Sequence, residues 1–348
     1  MIHPRLHTTE APVSLPDTGH SSAAGSTRFS DIPYIPLGRF PTPVQLVSPD
    51  TTGSFWLKDD SLCSPVYGGN KVRKLEYILA DATAMHKNRL VTYGDYNSHA
   101  VLASALFGIR KGFDVTASIF PPPSRVPCEI NWQALSREGL HVIESRTMPV
   151  GILQAYLLAC KGWYRIPLGA STPVSVLGYV NAVFELARQF EHQHTPVPET
   201  LFVTFGTGST VAGLLLGLVL ADVPSRIIAV RTVESIIAHK HKISRLISGA
   251  AARLALPPAI VSMAMNRLLL IDGRWIGKGY SYSTPEASAA ITLLRTQHIC
   301  LDPVYTGKTM AAMLDFLREH PRESVLFWNT FCTCPAPYAS FLAQESRL

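Results

Sequence analysis

Beyond residue 31 the chain alternates between two hydrophobic periods. Short runs rich in β-branched and aromatic residues at 54–58, 89–93, 114–120, 201–205, 226–230 and 324–328 predict strands. Longer stretches with apolar positions three and four apart predict helices over 71–85, 98–110, 127–138, 150–160, 174–193, 210–221, 285–296 and 308–319. Strand followed by helix, repeated in this way, implies parallel sheets covered by helices on both faces. Residues 1–30 are rich in Pro, Ser, Thr, Gly and His without periodicity, and read as a flexible leader. There is no internal repeat and no sharp linker.

Composition narrows the function classes. The chain has 348 residues, enough for two cores, and its 47% apolar and 16% charged residues are those of a folding chain. The net charge of +6 is small for that length and argues against nucleic acid. The densest basic cluster, His239-Lys240-His241-Lys242, reads as a solvated helix face. The longest apolar run, 211–223, is too short and too interrupted by glycine to span a membrane, and reads as a buried helix. Cysteines at 63, 128, 160, 300, 332 and 334 fit no zinc spacing, and no Cys-x-x-Cys occurs. Cys332 and Cys334 read as thiols near a strand end, in a set that suits a reducing cytosol. No signal-peptide pattern opens the chain. A cytoplasmic protein, with neither nucleic acid nor membrane as partner, is the expectation.

Two segments carry chemistry. In Gly68-Gly69-Asn70-Lys71-Val72-Arg73-Lys74-Leu75-Glu76, Asn70 suits an N-cap after two permissive glycines. Lys71, Leu75, Ile78 and Ala82 share one apolar helix face, while Arg73 and Glu76 point elsewhere and can pair across a turn. Burial and the positive helix end both disfavour a charged lysine at that first turn, so its pKa should fall. A neutral amine is what Schiff-base chemistry needs, although a lysine so placed can also snorkel to water. The second segment runs from the strand ending at Phe205 through Gly206-Thr207-Gly208-Ser209-Thr210 into a helix. Backbone N–H groups freed by the glycines, three hydroxyls and a helix start suit a phosphate monoester. The spacing is neither a dinucleotide fingerprint nor a Walker A loop.

Together these segments resemble the family of 1-aminocyclopropane-1-carboxylate deaminase and D-cysteine desulfhydrase. The likeness runs from about Ile35 to Trp328 in the family's order. It includes Ile35-Pro36-Leu37-Gly38-Arg39-Phe40-Pro41-Thr42-Pro43, Lys58-Asp59-Asp60, the Lys71 segment and Gly94-Asp95-Tyr96-Asn97-Ser98-His99-Ala100. Gly169-Ala170-Ser171, Gly178-Tyr179-Val180 and Leu301-Asp302-Pro303-Val304-Tyr305-Thr306-Gly307-Lys308 complete it. The resemblance implies fold type II of the pyridoxal 5'-phosphate enzymes, a tryptophan-synthase-β-like α/β fold whose parallel sheets, flanked by helices, place the cofactor between two domains. The larger would combine 31–72 with 186–348 and the smaller would take 73–185. Lys71 would be the Schiff-base lysine and the base at Cα. Asn70 would sit near the ring, and Gly206, Thr207, Gly208, Ser209 and Thr210 would hold the phosphate. Asn97 and the backbone of His99 and Ala100 would bind the carboxylate of a small amino-acid substrate, and Ser98 would touch that carboxylate or assist proton transfer. Tyr280 and Tyr305 would face its side chain. Thr306 or Thr330 would hydrogen-bond the pyridine nitrogen. A homodimer is implied as well.

Three departures bear on the reaction. Typical members read Gln-Ser-Asn-His where this chain has Asn97-Ser98-His99-Ala100, so His99 takes the place of an asparagine that contacts the ring hydroxyl. The deaminase branch carries an acidic residue at the position of Thr306. A hydroxyl there withdraws electrons weakly, which suits elimination better than cyclopropane ring opening. Phe331 replaces a glycine beside the ring pocket. The expectation is β-elimination giving a keto acid and ammonia, as a desulfhydrase does. β-Replacement, ring opening in a specialised pathway, and a cofactor binder without turnover are the alternatives. The last would be betrayed by loss of Lys71 or Ser98, and both are present.

Overall fold

The computed structural model of the protein describes residues 32–49, 53–64, 67–123 and 130–332. The expected leader, Cys128 and Cys334 lie outside them. In chain order the elements are β1 (Val44–Val47), β2 (Phe55–Asp59), α1 (Asn70–Ala84), β3 (Arg89–Asp95), α2 (His99–Arg110), β4 (Asp114–Phe120) and α3 (Trp132–Arg137). Then follow β5 (His141–Glu144), α4 (Met148–Cys160), β6 (Tyr164–Ile166), α5 (Leu177–His192), β7 (Thr200–Phe205), α6 (Ser209–Leu220) and β8 (Arg226–Arg231). The chain continues through α7 (Lys240–Arg253), α8 (Ala259–Asn266), β9 (Leu268–Asp272), α9 (Pro285–Arg295), α10 (Thr306–Glu319) and β10 (Val325–Asn329).

Two sheets organise these elements. One has six strands in the order β1-β2-β10-β7-β8-β9, the other four in the order β5-β4-β3-β6. Every pairing is parallel except β1 with β2. All six strands expected from the pattern are present, because they are the ones buried on both faces; β7 is buried at each residue. The strands that the pattern did not reveal, β1, β5, β6 and β9, sit at or next to sheet edges, are short, and keep polar or exposed positions. Helices α7 and α8 were also not expected. The expected helix over 174–193 begins as a 3-10 turn at Val174–Val176 before α5. The one over 127–138 is reduced to α3 among the described residues. Helix α6 is buried nearly throughout, as its apolar run implies. No helix among the described residues is long and apolar enough to cross a membrane.

Helix α1 is held from several sides. Leu75, Ile78 and Ala82 enter the main core as expected. Arg73 and Glu76, however, do not pair with each other on an open face; both are buried with separate partners. Glu76 accepts the N–H groups of Leu37 (3.0 Å) and Gly38 (3.3 Å), which ties the entering chain to the helix. Burial pushes its carboxyl up to about 7. Arg73 donates to Glu185 through Nη1 (2.8 Å) and Nη2 (2.9 Å), and to Asp60 Oδ1 through Nε (3.0 Å) and Nη2 (2.9 Å). Asp60 also accepts from Tyr179 Oη (2.7 Å) and Trp328 Nε1 (2.9 Å), and Lys58 forms a buried ion pair with Glu185. Two cations and two anions thus balance inside the core, each with its hydrogen-bonding capacity engaged.

Removing one partner of such a set leaves a charge stranded. Glu185→Gln should lower the urea unfolding free energy by about 3–5 kcal/mol. The pH dependence has a definite sign. Burial alone raises the Glu185 carboxyl, but Arg73 and Lys58 outweigh it and hold it at about 2. Its stabilisation is therefore present above the ordinary carboxylate range and is lost as pH falls from there towards 2. The acid limb of wild-type stability should be flatter in Glu185→Gln.

Candidate active site

The carboxyl ends of strands from both sheets converge, the usual place for a site in parallel α/β structures. Lys71 lies in the first turn of α1 and is half-buried. The N-cap is Gly69, not Asn70. Its φ of 97° is left-handed, and a Cβ would run into the carbonyl of Phe331, so only glycine fits. Asn70 is freed for another task. Its Oδ1 accepts from Lys71 Nζ (2.8 Å), and its Nδ2 donates to Thr210 Oγ1 (3.4 Å). One amide therefore links the amine to the glycine-rich turn. Burial lowers the Lys71 pKa to about 8, against the smaller opposing pull of Cys332 and Asp302.

The turn after β7 is built as the sequence suggested. Gly208 is left-handed at φ 103° and caps α6, whose first residues, Ser209 and Thr210, are buried. Ser171 Oγ lies 2.6 Å from Thr207 Oγ1 and 3.0 Å from Ser209 Oγ, so the stretch 169–171 closes the turn from the other sheet. A side chain at Gly169, itself at φ 66°, would collide with Thr207. Lys74 was missed by the sequence reading. It is buried, its Nζ reaches the carbonyl of Gly169 (3.5 Å), and its pKa is well lowered by burial and then by Lys71 and Lys242. Helical spacing put Lys74 off the Lys71 stripe, and the only signal was a second lysine within one turn of the first. Lys242 corrects another expectation: Lys240 and His241 are exposed, but His239 and Lys242 are half-buried, and Lys242 acts electrostatically on Lys74.

Across from the lysines, Ser98 caps α2, its Oγ accepting from Val101 N (3.4 Å). His99 and Ala100 open that helix, with His99 exposed and Ala100 buried. Asn97 N donates to Asp95 Oδ1 (2.9 Å). Tyr305 Oη donates to Tyr280 Oη (2.9 Å), and Tyr280 donates to Asp95 Oδ2 (2.9 Å). Burial pushes both phenols up, so they stay protonated. Tyr305 also lies against Gly206. Thr306 is buried, its Oγ1 donating to Asp302 Oδ2 (2.6 Å) and accepting from Asp302 N (2.8 Å). Thr330, just past β10, is buried. Asp95 and Asp302 were not singled out from sequence. Among the described residues no cluster suited to a metal ion is present.

A small anion bearing a carbonyl fits this arrangement. An amine whose pKa is lowered to about 8 can add to the carbonyl, and a glycine turn with hydroxyls and nearby lysines suits a phosphate. Comparison with known proteins agrees. Residues 35–330 match the family model described as pyridoxal-phosphate dependent enzyme. Among solved structures, an ACC deaminase homologue is 27% identical, with a TM-score of 0.72 over 87% of this chain and 92% of that one. The processed form of threonine deaminase isoform 2 from Solanum lycopersicum is 15% identical, with a TM-score of 0.59 over 88% of each chain. A fungal L-serine ammonia-lyase from Rhizomucor miehei is 15% identical, with a TM-score of 0.57 over 88% of this chain and 98% of that one. The fold type II architecture implied by the sequence is thus the one found.

The depressed amine is directly measurable. In ligand-free protein, competitive acetylation followed by peptide mass spectrometry should give Lys71 a half-reaction point near pH 8. Exposed lysines should titrate near their ordinary value, about 10.4. A Lys71 that titrates with the exposed set would contradict the burial described above.

Proposed function

The chain belongs to the family of pyridoxal-phosphate-dependent enzymes, and from that premise we propose that it is a lyase catalysing β-elimination from a small amino acid, with release of a keto acid and ammonia. Bound pyridoxal phosphate supplies the aldehyde for covalent capture of the amine and an electron sink for charge at Cα. The observation that carries the reading is the Lys71–Asn70–Thr210 chain, which couples an amine of lowered pKa to the glycine-rich turn.

In this reading residues 31–72 with 186–348 form the cofactor-binding domain and 73–185 the smaller one. Gly206, Thr207, Gly208, Ser209 and Thr210 hold the phosphate through backbone N–H groups and hydroxyls, with the Lys74 amine nearby. Asn70 keeps the Lys71 amine aligned, and Lys71 removes the proton from Cα. Ser98, Asn97 and the N–H groups of His99 and Ala100, at the positive end of α2, receive the substrate carboxylate. His99, exposed, contacts the cofactor's ring edge. Tyr305, backed by Tyr280, faces the β-substituent and holds the proton its departure requires. Thr306 or Thr330 meets the ring nitrogen.

One observation favours a second reading, ring-opening deamination of the kind suggested by the name of the ACC deaminase homologue. The Thr306 proton is engaged by Asp302, so Oγ1 has only a lone pair left to offer. Such an acceptor pairs with a protonated ring nitrogen, which strengthens electron withdrawal beyond what an isolated hydroxyl would give.

A panel of D- and L-amino acids with β-leaving groups, together with 1-aminocyclopropane-1-carboxylate, scored for keto acid and ammonia, separates the two. The elimination reading expects the β-substituted alanines to dominate. Lys71→Ala should abolish both turnover and the cofactor's near-visible absorbance band. Tyr305→Phe should retain the band and lower kcat by about 10²–10⁴-fold, the usual worth of a positioned acid or base.

A further inference from the structure

Asp95 ends β3 in the four-stranded sheet, whereas Tyr280 and Tyr305 belong to the part of the chain that builds the six-stranded one. The carboxylate is only 7% exposed and both of its oxygens are engaged: Oδ1 by Asn97 N–H (2.9 Å) and Oδ2 by Tyr280 Oη (2.9 Å). Tyr305 Oη lies 2.9 Å from Tyr280 Oη. The three side chains form one hydrogen-bonded row across the cleft.

The direction of that row is fixed by proton counting. An ionised carboxylate only accepts, so Tyr280 must spend its single proton on Asp95. The Tyr280 oxygen can then only accept from Tyr305. The Tyr305 proton is thereby turned towards Tyr280, and what Tyr305 presents to the cleft is a lone pair. Asp95, Asp302 and Glu234 all surround the Tyr305 hydroxyl with negative charge, which likewise favours a donor as its partner.

Building on the proposed reaction, in which Tyr305 faces the substrate's β-substituent, we propose that Asp95 is a specificity-positioning residue. Through Tyr280 it sets Tyr305 as a hydrogen-bond acceptor, so that the enzyme selects amino acids whose β-substituent can donate a hydrogen bond. Free hydroxyl, thiol or ammonium substituents are taken, and the same atoms capped by methyl are refused. As the bond to a hydroxyl or thiol substituent breaks, negative charge on the departing atom draws the Tyr305 proton away from Tyr280 and towards the leaving group; an ammonium departs as neutral ammonia and needs no proton.

Asp95→Asn isolates this role. The carboxamide keeps an oxygen for Asn97 N–H but offers Tyr280 a donor, which releases the Tyr280 proton and lets the Tyr280–Tyr305 bond reverse. The experiment measures kcat/KM for cysteine against S-methylcysteine and for serine against O-methylserine, in the configuration the enzyme accepts, for wild type and Asp95→Asn. Taking the ratio within each pair, and then between proteins, cancels the intrinsic reactivity of the leaving groups. The donor-to-capped ratio should fall at least about tenfold in Asp95→Asn, the scale of one lost hydrogen-bond discrimination. An unchanged ratio, with both members slowed alike, would reduce Asp95 to a joint between the sheets and overturn the assignment. So would a wild-type preference for the capped substrates. If neither pair releases keto acid, the proposed reaction fails. Dissociation constants for the same pairs, read from intrinsic fluorescence, then decide the Asp95 assignment by the same double ratio, and absence of binding by either member overturns it.

Discussion

The site depends on a set of charges that never meets the substrate. Arg73 lies two residues beyond Lys71 on α1 and is clamped by Asp60 and Glu185, and these reach in turn to Lys58, Tyr179 and Trp328. The partners come from the segment after β2, from β2 itself, from α5 and from β10. A rotation or slide of α1 would break several charge-assisted bonds at once in a region buried from solvent. The helix that carries Lys71 is therefore fixed against the strands whose ends border the candidate site. An apolar core could hold α1 as strongly, but not with the same single register.

That rigidity is what makes a buried lysine usable. Burial lowers the Lys71 pKa to about 8, so at a given pH far more of its amine is uncharged than of an exposed lysine's. Gly69 permits the tight approach of the chain to Phe331, and Asn70, released from capping, orients the amine and ties it to Thr210. The three consecutive residues Gly69, Asn70 and Lys71 thus divide the work among backbone conformation, alignment and chemistry.

How much of this was legible in the sequence follows from what burial does to patterns. Strands covered on both faces announced themselves, as β3, β4 and β7 did, whereas the polar, short strands β1, β5 and β6 carried no signal above that of loops. The apolar stripe headed by Lys71 was readable because helical spacing is local. The fates of Arg73 and Glu76 were not. A charged residue off the apolar stripe reads as solvated unless its partners, here 13 and 112 positions away for Arg73, are known. The same holds for Lys74, for Asp302 behind Thr306, and for Asp95, whose partner Tyr280 is 185 positions distant. Motifs revealed the residues with chemistry; the residues that set their state are held by contacts remote in sequence.

Lys71 and Lys74 illustrate the consequence. One helical turn apart, both have their pKa lowered by burial, and Lys71 lowers that of Lys74 further. An arriving phosphate acts on them unequally. Lys74 reaches the carbonyl of Gly169, whose own backbone lies against Thr207 of the glycine-rich turn, while Lys71 meets that turn only through Asn70. Negative charge in the turn favours protonation of the nearer amine, and protonated Lys74 then disfavours protonation of Lys71. Cofactor binding in the proposed enzyme should therefore take up a proton at Lys74 and so disfavour one on Lys71.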